Sequence, residues 1–279
     1  MLTRSQLKSI FVEYGFRPLK RLGENYLIDG NIRGKILREA AVGADDTVLE
    51  VGPGLGALTG GLAETGARVF AVEKDRKAFV ALSAILGRRF PNLELIHGDI
   101  LKFDLAAISA PGRIKLVGNL PYYITTPIIE YIVGNGKRIS SALITVQREV
   151  ANRLLALPGT KDYSSISCYV RYYTKPSYIH TIKRTAFYPE PEVDSSLIRL
   201  DVLDRPSVGV RDEALLFRII RGAFNQRRKS VINSLSREAA LSIPKEELSD
   251  ILKRAGIAPS VRPETLSLED FARIAEAVN

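Results

Sequence analysis

Asn119-Leu120-Pro121-Tyr122 puts a side-chain amide, a stiff turn and an aromatic ring within four residues. An apolar run, Ile114-Lys115-Leu116-Val117-Gly118, precedes it and reads as a short buried strand. The tetrapeptide therefore sits at a strand end, where it can hold a flat, amino-bearing ring by its edge and its face. An amino nitrogen conjugated with such a ring is a poor nucleophile, because its lone pair is delocalised. Two acceptors for its protons, the Asn119 side-chain oxygen and the Leu120 carbonyl, would draw it toward a tetrahedral shape and free that pair. Pro121 would stiffen the turn, Tyr122 would stack on the ring, and Phe187 would close the opposite face; either ring taken alone would sooner be plain core packing, and the neighbouring Pro-rich loop and strand-end amide favour the pocket. Stacking of this kind is worth about 1–3 kcal/mol per base. The chemistry it suits is in-line transfer of a methyl group to the exocyclic nitrogen, with positioning and desolvation supplying most of the acceleration.

A donor site is visible upstream. Glu50-Val51-Gly52-Pro53-Gly54-Leu55-Gly56 follows one strand and opens a helix, and its glycines let backbone approach a ligand closely. Alone, such a turn could serve a dinucleotide or a plain tight connection. Glu73 closes the next strand, where a carboxylate can take both hydroxyls of a ribose, a role that dinucleotide enzymes share. Asp99, in His97-Gly98-Asp99-Ile100, closes the third and could take the amino group of an adenine. Gly, Glu and Asp on three successive strand ends, then Asn119 on a fourth, fit S-adenosylmethionine better than a dinucleotide. Gly52, Gly54, Glu73, Lys74, Asp99, Ile100 and Asn119 are the expected cofactor contacts, and no metal is expected.

These residues need strand ends to stand on. Strand-like runs at 47–51, 68–73, 93–97, 114–117 and 141–146 alternate with helix-like runs at 57–64, 77–86 and 128–133. Alternation at these lengths implies an α/β fold with a mostly parallel, Rossmann-like sheet whose ligands gather outside the carboxyl ends of the strands. Near Asp201–Ser207 the pattern changes, and only helix signals follow, at 213–224, 231–235, 245–255 and 268–278. Two domains are expected, 1–204 and a small helical one over 205–279.

The chain has 279 residues, with 40 Lys+Arg against 31 Asp+Glu for a net charge of +9. That excess favours a polyanionic partner. One cysteine, Cys168, and two histidines, His97 and His180, leave little for a disulfide or a metal centre. The N-terminus lacks the apolar core of a signal peptide and no stretch is long enough to span a bilayer, so a cytoplasmic protein is expected. With no evident oligomerisation stripe, a monomer is expected.

With these residues assembled, the chain resembles the small-subunit ribosomal RNA adenine dimethyltransferases, the family whose bacterial members confer kasugamycin sensitivity. The resemblance runs through Gly23–Asp29, Glu50–Leu58, Asn119–Tyr122, Gln147–Ala151, Phe187–Ser195 and Phe224–Lys229, six motifs in order. It implies a class I methyltransferase domain and adds Asn25 and Leu27 to the cofactor contacts. It also implies dimethylation of two neighbouring adenines near the 3′ end of small-subunit rRNA, with a role in late subunit assembly. The chain departs from the family pattern at Glu24, Tyr26, Ser164, Glu190 and Glu192, and the last two lower the positive character beside the expected RNA path.

Arg148, Arg153, Arg221, Arg227, Arg228 and Lys229 are the expected RNA contacts, on small-subunit rRNA within an immature subunit. A solvated helical face would carry similar charges. Three other readings remain: a large-subunit rRNA methyltransferase of the antibiotic-resistance type, a mainly non-catalytic assembly factor, and an NAD-dependent oxidoreductase.

Overall fold

Five consecutive residues, Thr47–Val51, form a strand (β2) in which every position is buried, as a strand covered on both faces must be. In the computed structural model, which describes residues 2–16, 18, 24–226, 228–238, 241 and 243–278, β2 is central to a seven-stranded sheet. Before it come α1 (Arg4–Glu13), β1 (Tyr26–Leu27) and α2 (Gly30–Ala40). After it come α3 (Thr59–Ala63), β3 (Arg68–Glu73), α4 (Arg76–Leu86), β4 (Leu93–His97), β5 (Ile114–Asn119), α5 (Thr125–Gly134) and β6 (Ile139–Gln147). The chain continues through α6 (Arg148–Leu155), α7 (Ser165–Tyr173), β7 (Thr174–Ile182), β8 (Phe187–Tyr188) and β9 (Ser195–Val202).

Strand order is β4-β3-β2-β5-β6-β9-β7. The pairs β2–β3, β3–β4, β2–β5 and β5–β6 are parallel, and β6–β9 is antiparallel. Order therefore runs outward in both directions from β2 and β5, and the crevice outside their carboxyl ends is where such sheets bind ligands. Local chemistry fixes the helices that flank it. Asp75 caps α4 by accepting from the Ala78 amide at 2.8 Å, and Asp29 caps α2 through the Asn31 and Ile32 amides. Each such cap is worth about 1 kcal/mol. β1 and β8 make a separate two-stranded antiparallel sheet, with Tyr26 opposite Tyr188 and Leu27 opposite Phe187.

The remaining helices are α8 (Glu213–Phe224), α9 (Val231–Leu235), α10 (Lys245–Arg254) and α11 (Leu268–Val278). Asp212 caps α8 at the Leu215 amide, and α8 buries Leu215, Leu216, Ile219, Ile220, Ala223 and Phe224. These pack with Leu248, Ile251, Leu252, Phe271 and Ile274 in a core of their own.

Two compact units result, one from Met1–Ala151 and Ser177–Asp204, the other from Asn152–Pro176 and Arg205–Asn279. The stretch Asn152–Pro176, expected from its sequence to go with the sheet, belongs with the helices. The reason is apolar burial: Tyr163, Cys168 and Tyr172 sit in the same core as Leu216 and Ile220.

Candidate active site

β2 hands over to α3 through a turn in which Gly52, Gly54 and Gly56 all adopt positive φ, 65°, 57° and 82°. At Gly54 the requirement is double, since a Cβ there would also come within 3.0 Å of the Tyr26 ring. The Gly54 amide donates to Glu73 Oε2 at 2.9 Å, and the Asp75 amide donates to Oε1 at 2.8 Å. The carboxylate, only 8% exposed, is thus aimed from both sides by backbone. Burial pushes its pKa up, and these backbone donors oppose that shift. Each oxygen still has a second lone pair for a ligand hydroxyl.

One strand further, Asp99 Oδ1 accepts from the Leu101 amide at 3.1 Å, and Oδ2 pairs with Lys74 Nζ at 2.9 Å. The Lys74 ammonium, as hydrogen-bond donor, holds the Asp99 carboxyl below the usual carboxylate range. Ile100 is buried beside it.

At the end of β5, Asn119 Nδ2 donates to the Asn25 carbonyl at 2.9 Å. That bond fixes which way the amide faces and presents Oδ1 as an acceptor. The Leu120 amide donates to the Thr145 carbonyl at 3.3 Å, which ties the turn to β6.

A cavity of about 650 Å³ joins these groups, within the size range of cofactor sites. Asn25, Leu27, Gly52, Gly54, Glu73, Lys74, Asp99, Ile100 and Asn119 all line it, as does Pro121. The Leu120 side chain is buried beneath. Tyr122 is half-buried and does not line this cavity, whereas the next residue, Tyr123, lines it and is 48% exposed.

Phe187 stands elsewhere than expected. It is 1% exposed and packs with Leu27, Ile182 and Leu197 in the core, so it does not present a face to this cavity. Strand alternation is the cause: β8 buries Phe187 beside Leu27 and leaves the half-buried Tyr188 stacked on Phe11, with centroids 6.3 Å apart.

Other groups were not read from the sequence. Leu2 and Leu7 reach the cavity wall, and Phe11 packs on Tyr26 at 5.3 Å. A signal existed, because Thr3 and Gln6 form a capping box just ahead of Leu7 and Phe11. Glu50, read only as the first letter of the glycine motif, lines the cavity too, and burial pushes its carboxyl up to about 8. Its Oε2 has no hydrogen-bond partner among the described residues.

The expected RNA contacts are divided. Arg148 is exposed at the start of α6 in the first unit; Arg153, Arg221, Arg228 and Lys229 are exposed in the second. Arg227 lies outside the described residues, as does Gly23. Asn225 and Gln226, from the same motif, bond within their own unit: Asn225 Nδ2 donates to Glu238 at 2.9 Å, and the Gln226 carbonyl accepts from the Ser234 hydroxyl at 3.3 Å.

A mostly parallel sheet with Gly, Glu, Asp and Asn at the ends of β2, β3, β4 and β5, all opening on one cavity, defines a class I methyltransferase. The ribosomal RNA adenine dimethylase family model matches residues 15–279. The chain is 46% identical over 275 residues to the ribosomal RNA small subunit methyltransferase A of Moorella thermoacetica, covering 95% of this chain and 94% of that one. To the protein of the same name from Clostridium acetobutylicum it is 39% identical, with 97% of each covered. Among solved structures, a dimethyladenosine transferase from Plasmodium falciparum superposes with TM-score 0.76 at 25% identity, over 89% of this chain and 95% of that one. The 23S rRNA methyltransferase ErmE gives 0.69, also at 25% identity, over 91% and 99%. This chain belongs to the ribosomal RNA adenine dimethylase family.

Proposed function

We propose that the chain dimethylates the exocyclic N6 of two adjacent adenines near the 3′ end of small-subunit rRNA, acting as a cytoplasmic monomer on an immature small subunit late in its assembly. The observation that carries this reading is the Asn119 amide, whose nitrogen is taken by the Asn25 carbonyl so that its oxygen is left as the acceptor, in the lining of a cavity shared with Glu73 and Asp99. The names of the relatives, small subunit methyltransferase A, support the choice of substrate over large-subunit rRNA.

The residues present fit S-adenosylmethionine. Glu73 is aimed by two backbone amides to accept a ribose's hydroxyls, and Asp99 and Ile100 suit an adenine's amino edge and face. Asn25 and Leu27 line the same cavity. When bound, the cofactor supplies an electrophilic methyl on a sulfonium.

The chain's own residues prepare the nucleophile. Asn119 Oδ1 and the Leu120 carbonyl accept the two N6 protons and localise the lone pair. Pro121 and the Leu120–Thr145 bond keep both acceptors still. Tyr122 supplies the stacking face, while Phe187, deep in the core, holds β1 and so the Asn25 carbonyl in place. No strong general base is needed, because the alkylated nitrogen sheds its proton to water. After the first methyl only one N–H remains, and the second transfer proceeds with one acceptor released. Arg148 neutralises rRNA phosphate from the first unit, and Arg153, Arg221, Arg227, Arg228 and Lys229 do so from the helical unit.

The test is methyl transfer from labelled S-adenosylmethionine to unmethylated small subunits, with large subunits and naked rRNA in parallel. Dimethyladenine confined to small-subunit particles is the expected result. Label on large-subunit RNA, or tight binding to particles without label, overturns it.

A further inference from the structure

Tyr122 and Ser195 are 73 residues apart in the chain, yet their hydroxyl oxygens are 2.8 Å apart. The sheet brings this about. β5 and β6 are parallel and end at one edge, with Asn119 opposite Thr145. β9 is antiparallel to β6 and therefore starts at that same edge, with Ser195 opposite Gln147. Antiparallel pairing thus delivers the first residue of β9 to the strand ends where the Asn119 turn stands.

Ser195 is a firm anchor. It is fully buried, at 0% exposure, and the corner before it is clamped. The Asp194 carboxylate accepts from the Arg184 amide at 3.0 Å and from Lys183 Nζ at 3.1 Å, and the Asp194 carbonyl accepts from the Arg148 amide at 3.1 Å. Tyr122, by contrast, begins a single 3₁₀ turn, Tyr122–Ile124, that has no side-chain cap and buries none of its residues. A phenol on a short turn has rotamer freedom to lose, and a hydrogen bond to a rigid partner removes it. Tyr123, its neighbour, reaches the cofactor cavity instead.

We propose that Ser195 is a positioning residue for methyl transfer: by holding the Tyr122 hydroxyl it sets the plane of the ring on which the target base stacks. That plane fixes the height of the amino nitrogen relative to Asn119 Oδ1, and errors of about 1 Å in such placements are costly. The inference rests on the proposed function, since it presumes a base at the Asn119 turn. A serine that only satisfies its own buried hydroxyl would affect stability and leave turnover alone.

The experiment is a double-mutant cycle with Tyr122→Phe, Ser195→Ala and the pair together. It reads kcat and KM on unmethylated small subunits, cofactor Kd and Tm. Each single change removes one neutral hydrogen bond from the same contact, so each lowers kcat about fivefold with cofactor Kd unchanged. The pair does no worse than either single, because the bond is lost only once. Independent, multiplying losses in kcat overturn the inference, as does a lowered Tm with kcat intact. If Ser195→Ala does not fold, Tyr122→Phe decides alone, and an unchanged kcat overturns it. A wild-type protein that leaves small subunits unlabelled refutes the proposed function; an active wild type with a multiplicative cycle refutes only the role of Ser195.

Discussion

Asn119 Nδ2 donates to the carbonyl of Asn25 at 2.9 Å, across 94 residues of sequence. Only one end of a side-chain amide can donate, so this bond decides that the other end accepts. The β1 segment thereby orients the group at the end of β5 before any substrate arrives, and an acceptor aimed in advance costs no reorganisation in the transition state.

Asn119→Ala removes that acceptor. Turnover on small subunits should fall about a hundredfold, while cofactor affinity, which the proposed function assigns mainly to Glu73 and the glycine turn, should change little. Single-turnover rates beside calorimetric Kd values separate the two.

Glu73→Gln keeps the shape but loses the charge, and leaves its amide group to face the Gly54 or Asp75 amide, donor against donor. Cofactor Kd should rise about ten- to a hundredfold, the range for losing hydrogen bonds to a charged group. Titration calorimetry with S-adenosylmethionine measures it, and an unchanged Kd would remove Glu73 from the site.

Glu50 makes stability depend on pH. Burial raises its carboxyl from the ordinary 4.5 to about 8, with the Thr59 hydroxyl opposing and Glu73 adding to the rise. Between those values the group is neutral when folded and ionised when unfolded, so unfolding releases a proton. The cofactor-free protein should therefore lose stability as pH climbs from about 5 to 8, by several degrees in Tm. Glu50→Gln should flatten that slope, which thermal melts at a series of pH values will show.

The exposed Arg228 and Lys229 should act through phosphates. Changing both to Ala should weaken rRNA binding and lower the slope of log K against log salt by about 1.5 to 2, close to one per lost contact. Cofactor Kd should stay constant. Binding isotherms at several salt concentrations decide this, and an unaltered slope would make the pair a solvated surface.

Legibility in the sequence follows local pattern. β2, β3 and β4 are legible to the residue, because runs of five or six residues rich in apolar side chains and bounded by turn signals are too short for helices. α8, α9 and α11 are equally plain from their spacing. The glycine turn, Glu73, Asp99 and Asn119 can be placed because each ends a strand. What escapes is anything requiring a distant partner. β8 is two residues long, and only pairing with β1 makes it a strand, so by sequence Phe187 looks like a loop aromatic free to cover a base. α7 looks like part of the sheet region because its packing partners come more than forty residues later, in α8. The Tyr122–Ser195 contact is invisible for the same reason.

The interleaving of the two units along the chain has a consequence for synthesis. α7 and the turn before it leave the ribosome with Tyr163, Cys168 and Tyr172 exposed as an apolar surface, and the residues that enclose them, Leu216, Ile220 and Phe271 among others, are translated only after β9. A nascent chain stopped at Asp204 holds every strand of the sheet together with an uncovered sticky helix. At roughly 5–20 residues per second, the gap between α7 and α8 lasts several seconds. For that interval the chain offers a chaperone a hydrophobic patch that the finished protein hides.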